Sequence, residues 1–176
     1  DAAAAVLDRL REELRLDALN LRSLHVQLLA TFEDWDKIVD MPGFSNLARA
    51  RRTPATTALL LEALYQVHLA SSFESGDQAV VESRYRQEVR ALAAPMLKAP
   101  FPASLRAGGW RLVALEALTS PGREELGQAV SARCEHLGWL ASRLAIVRDA
   151  EKYPSLHLEA VDDARDRLIA GEAMES

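Results

Sequence analysis

Between Ala2 and Val39 the chain has no glycine and no proline, and its apolar residues recur every three or four positions. Val6, Leu7, Leu10, Leu14, Leu21, Leu24, Leu28, Leu29, Phe32 and Trp35 make up the series. That spacing follows the turn of an α-helix; a strand, whose sides alternate every second residue, would scatter it over both faces. The pattern predicts one long helix or two meeting near Leu16–Asp17, where Asp17 can cap the second. The break is the preferred reading. Asp40-Met-Pro-Gly43 then stops the run, since Pro42 and Gly43 both continue a helix poorly.

After a short turn around Ser45 to Arg52, Thr53-Pro54 is the clearest helix start in the chain. Thr is a good N-cap, and proline at the first helical position lacks an N–H that would be orphaned anyway. This helix should reach about Ala70, with Leu60, Leu61, Leu64, Val67 and His68 on one broad face. Ser71 to Gly76 reads as a polar loop. Asp77 should cap a further helix that turns Val81, Tyr85, Val89 and Leu92 inward and ends at Pro95. Lys98 to Gly109 carries two prolines and two glycines and reads as a loop, followed by a short helix from Trp110 to Leu118. Ser120-Pro121 repeats the cap-plus-proline start, for a long helix to about Lys152 with Leu126, Val130, Cys134, Leu137, Leu140, Leu144 and Val147 inward. Ser155 should cap a last helix ending before Gly171.

No stretch alternates as a strand does, and Leu and Ala dominate the apolar 49%. Unbranched side chains lose little rotamer freedom in a helix, so composition and periodicity agree. The expected fold is all-α: residues 1–176 as one antiparallel helical bundle of about six or seven helices, several long.

Charge and cysteine content narrow the partners. A net charge of −5 and a pI of about 5.4 repel phosphate backbones, so no nucleic-acid partner is expected. Cys134 is the only cysteine, which excludes an intramolecular disulfide and argues against a cysteine-based zinc site. Its uncharged stretches fall well short of the roughly 20 residues that a membrane span requires. A lone thiol suits a cytoplasmic location, while an opening Asp1 in place of Met fits a processed or excised piece, including a periplasmic or sensor domain.

Candidate chemistry is sparse. Arg49, Arg51 and Arg52 immediately precede the Thr53-Pro54 helix start, where guanidinium forks and free backbone N–H groups would suit an anion or an acidic partner. Trp35, His68 and Trp110 are candidates to line a ligand pocket between helices, with the Lys98–Gly109 segment as its lid. Glu33, Asp34 and Asp36 flank Trp35 and could hold a cation or pair with the arginines that follow. Asp162, Asp163 and Asp166 resemble the DDxxD spacing with which isoprenoid synthases hold magnesium-bound diphosphate. Those enzymes are much longer and carry a second acidic motif, which is missing here, and Arg165 and Arg167 interleave with the acids as on an ordinary solvated face. His25, His68, His136 and His157 are scattered and form no Glu-x-x-His pair. Cys134 reads as a small core residue.

No nucleophile elbow, phosphate loop or zinc-protease helix occurs, and no catalytic residue or cofactor is assigned. The sequence therefore points to a non-enzymatic regulatory or protein–protein interaction module, self-associating as a homodimer or docking a partner through long amphipathic helices. A small-molecule-sensing bundle is the alternative, and a metal-dependent enzyme using Asp162, Asp163 and Asp166 a third.

Overall fold

The computed structural model describes residues 5–6, 9, 18–120, 124–131, 133 and 137–152, and every described element is helical. Among the described residues nine helices stand out: α1 (Ala18–Thr31), α2 (Trp35–Val39), α3 (Phe44–Arg49), α4 (Pro54–His68), α5 (Ala70–Glu74), α6 (78–93), α7 (Ala107–Thr119), α8 (Glu124–Ser131) and α9 (Trp139–Lys152). The all-α expectation holds. The count exceeds six or seven because short helices stand where turns were expected.

Two helices organise the rest. α4 starts as anticipated, with Pro54 at its first position and the Thr53 hydroxyl accepting the Thr56 N–H at 3.2 Å. It buries Thr56, Ala58 and the unbroken run Leu60–Tyr65. α7 buries Gly108–Trp110 and Leu112–Glu116. A helix apolar on every side must be wrapped by others. α4 packs directly on α7; α1, α2 and α5 lie against α4, and α8 and α9 against α7.

The crossing of α4 and α7 explains a departure from expectation. Gly108 and Gly109 lie in the first turn of α7 rather than in a loop. A Cβ on Gly108 would sit 2.5 Å from the Tyr65 ring and 2.8 Å from Glu62 Oε2. Glycine costs about 1 kcal/mol relative to alanine inside a helix. Here its missing side chain lets the two backbones approach, and tertiary packing overrides propensity.

Other boundaries differ for equally local reasons. The break expected near Leu16–Asp17 lies outside the described residues; further on, the run breaks at Phe32–Asp34, where Glu33 adopts φ +56°. The Asp34 N–H reaches back to Leu29 O at 3.1 Å and the Glu33 N–H to Ala30 O at 3.4 Å, a Schellman closure with Glu33 in the left-handed position usually taken by glycine. Ser45–Arg52 holds α3, which buries Phe44, Leu47 and Ala48. Within Ser71–Gly76, α5 carries Phe73 inward. Gly138, at φ +55°, precedes α9, so α8 and α9 do not form one continuous helix. Leu126, Val130, Leu137 and Leu140 face the core as expected; Cys134 and the helix expected after Ser155 lie outside the described residues.

α6 begins with Asp77 Oδ1 accepting the Val80 N–H at 3.1 Å and contains a π-helical turn, Tyr85–Val89, between α-helical Gln78–Arg84 and Arg90–Ala93. Val81, Tyr85, Val89 and Ala93 are all fully buried. Residues spaced by four drift around an α-helix of 3.6 residues per turn, and the wider π turn takes that drift back. The turn keeps Tyr85 and Arg90 aimed at α7.

Candidate functional site

Each central helix carries one carboxylate inside an apolar run: Glu62 in Leu61-Glu-Ala-Leu64 and Glu116 in Leu115-Glu-Ala-Leu118. Both are buried, at 5% and 3% exposure. A buried carboxylate requires donors, and the fold supplies them at opposite ends of α7.

Glu62 serves the N-terminal end. Arg106, the N-cap residue of α7, makes no side-chain cap, and Glu62 Oε2 instead accepts the Gly109 N–H at 3.3 Å. A carboxylate there satisfies an orphan donor and complements the positive end of the helix dipole. Gln66 Nε2 donates to its other oxygen at 2.8 Å.

Glu116 gathers three donors near the C-terminal end. Tyr85 Oη donates to Oε2 at 2.7 Å and Arg90 Nε at 3.1 Å, while Ser120 Oγ donates to Oε1 at 2.6 Å. Arg90 Nη2 also donates to Ser120 Oγ at 2.7 Å. Burial opposes the carboxylate charge, but the hydrogen bonds from Ser120, Tyr85 and Arg90 and the Arg90 charge outweigh it. They hold the Glu116 carboxyl below its ordinary range.

A cation–aromatic ladder joins α4, α5, α7 and α9. The Arg111 guanidinium donates to Tyr65 Oη and lies 4.2 Å from the Phe73 ring centroid, and Phe73 stacks on Trp139 at 5.5 Å. Burial raises the Tyr65 phenol above its ordinary value, against the charge and hydrogen bond of Arg111. Both carboxylates and this ladder hold helices together; they are structural centres that the topology assembles.

Among the described residues, α1 carries several of the exposed large apolar side chains. Ser23, Val26 and Ala30 face the core, yet the opposite side is also apolar. Leu24 is 37% and Phe32, just past the helix end, 58% exposed, with half-buried Leu21 and Leu28 between them. In the fourteen residues of α1 only Arg22 carries a fixed charge. Outward faces of surface helices are normally polar.

A family model described as DpdD-like matches residues 1–175. The chain belongs to that family. No curated protein and no solved structure matches it.

In this DpdD-like chain the residues singled out from sequence are dispersed. Arg52 turns inward: its Nη1 donates to Ala50 O at 2.7 Å and Leu47 O at 3.1 Å, and burial lowers its pKa from the usual arginine value. It closes the end of α3, while Arg49 and Arg51 stay exposed beside the start of α4. The Arg106 guanidinium lies 5.5 Å from the Trp35 ring, one turn before Trp110, which packs against Phe101 and Arg133. His68 stands elsewhere, with Nδ1 3.2 Å from Glu88 Oε2. Asp34 pairs with Lys37 at 2.8 Å rather than with the arginines. Asp162, Asp163, Asp166, His136 and His157 lie outside the described residues. Among the described residues no three His, Cys, Asp or Glu side chains are placed to hold a metal ion, and no helix is long and apolar enough to cross a membrane.

Glu62, Arg90, Arg111 and Glu116 were not singled out, because each meets partners on another helix, 26 to 47 residues away in sequence. A signal existed for the two acids. Each is the lone charge in an otherwise apolar helical run, and burying a charge is too costly without donors waiting for it.

Proposed function

We propose that this DpdD-like domain is a non-enzymatic protein-interaction module that works through the outer face of α1. The observation that carries the reading is the second apolar face, Leu21, Leu24, Leu28 and Phe32, on the side of α1 turned away from the core. Contiguous exposed apolar surface on a folded domain marks a contact site. The buried polar groups support the same reading: the carboxylates at both ends of α7 are engaged by helix-capping and ion-pair donors, a rigid scaffold rather than a set of groups held ready for a substrate.

The test uses the full-length protein in a gentle extract of its host. Size-exclusion chromatography should show it eluting above the size of one chain. Replacing Leu24 and Phe32 together by Lys should return it to the size of one chain with its helicity unchanged. Elution at single-chain size in the unaltered protein contradicts the reading, and so does an assembly that survives the double substitution.

A further inference from the structure

The chain is acidic overall, yet two stretches of it hold no acid at all. Residues 41–61 and 89–115 contain none of its 26 Asp and Glu residues, but seven of its Lys and Arg residues. Four of the seven are engaged: Arg52 on the carbonyls that end α3, Arg90 on Glu116, Arg106 over Trp35 and Arg111 on Tyr65. Arg49, Arg51 and Lys98 remain. All three are exposed, and among the described residues none of them has an acidic partner.

The fold brings the two acid-free stretches together. α3 packs on Arg90–Ala93, the last turn of α6. A shallow groove runs between them, lined by Ser45, Ala48 and Arg49 on one side and Ala91, Leu92 and Pro95 on the other. Apart from Ser45 and Arg49 the lining is apolar. Arg51 follows two residues after Arg49, and Lys98 three residues after Pro95. Even with the solvent above it the groove holds only about 140 Å³, under the roughly 300 Å³ at which small-molecule sites begin. No aromatic ring lines it for a base to stack on, and three cations are few for a phosphate backbone. Shape and charge together select a protein segment that presents apolar side chains beside acids.

We propose that the groove between α3 and the end of α6 docks an acidic, amphipathic segment of a partner protein. Its apolar side chains rest on Ala48, Leu92 and Pro95, and its carboxylates meet Arg49 and Arg51. The planar fork of arginine pairs with a carboxylate through two parallel hydrogen bonds, which fixes direction as well as charge. Elsewhere the net charge of −5 repels such a segment, so the same electrostatics steer it to this groove. The surface is separate from the outer face of α1, and either can fail without the other.

A photo-crosslinking amino acid in place of Ala91, which is exposed in the groove, tests this on the full-length protein in cells of its host. Mass spectrometry of the adduct should return one recurrent segment of another protein, carrying several Asp or Glu residues. Arg49→Glu combined with Arg51→Glu should lower the adduct about tenfold with helicity unchanged. Changing the acids of the captured segment to Lys should then restore it, which a misfolded variant could not do. No adduct overturns the proposal, as does an adduct with nucleic acid, with this chain itself or with a segment poor in acids. An adduct that survives the charge reversal, or a loss that the Lys-bearing segment does not rescue, overturns it as well.

Discussion

α4 and α1 are built from similar residues and meet different fates. Both are rich in Leu and Ala, and each carries a single fixed charge within its helical span, Glu62 in one and Arg22 in the other. α4 is enclosed by α1, α2, α5 and α7, and its one charge is answered by the Gly109 N–H and Gln66. Among the described residues α1 packs on α2 and α4 from one side. The difference teaches that low charge and all-round apolarity mean enclosure wherever the chain supplies neighbours. Where it does not, the same composition leaves a surface that asks for a partner.

The comparison breaks most readily at the enclosed end. Glu116→Ala removes the acceptor shared by Tyr85, Arg90 and Ser120 while leaving the Tyr85 hydroxyl buried. Arg90 is 42% exposed and recovers some hydration, so the expected loss is about 3 kcal/mol, below the top of the range for a broken buried pair. Urea denaturation measures it. Next comes Gly108→Ala, whose new methyl meets the Tyr65 ring at 2.5 Å; a loss of about 2 kcal/mol is expected from overpacking. The opposite sign is expected at Gly127, a helical glycine whose added Cβ would meet nothing within 4 Å. Gly127→Ala should raise stability by about 1 kcal/mol, read as a higher denaturation midpoint.

Acid resolves Glu116 more finely. Its carboxyl titrates lower in the folded chain than in the unfolded one, so the unfolded state binds the proton first as pH falls. The stabilisation is therefore complete above the ordinary carboxylate range and drains away as pH drops through the lowered folded value. Glu116→Gln should flatten that acid limb of stability against pH, while Glu33→Gln, at an exposed carboxylate, should leave it in place. The smallest expected effect is on α1: in the isolated single chain Leu24→Glu should change stability by only about 0.5 kcal/mol, because Leu24 is 37% exposed and lies outside the core.

The helical class, the Thr53-Pro54 and Asp77 starts and most of the inward stripes were legible, because each depends on residues close together in sequence. The Schellman closure at Glu33 was not, since its usual glycine is absent and the contacts with Ala30 and Leu29 carry it instead. α5 hid behind its serines, and Phe73 becomes a core residue only once Tyr65, Arg111 and Trp139 converge on it. For the same reason Arg52 read as an anion ligand. Nothing near it in sequence signals that the carbonyls at the end of α3 would claim it. Among the residues of the α1 face, Leu21, Leu24, Leu28 and Phe32 were legible as a stripe, but which side of the helix faced the core was decided by α2 and α4.

The central claim is that the outer face of α1 is covered by protein in the working state. Hydroxyl-radical footprinting in intact cells tests it directly, with Val80 on α6, 39% exposed, as the internal reference. Oxidation of Leu24 and Phe32 should fall well below the level set by their exposure in the isolated chain, while Val80 keeps its own. Labelling of Leu24 and Phe32 in proportion to that exposure would contradict the account.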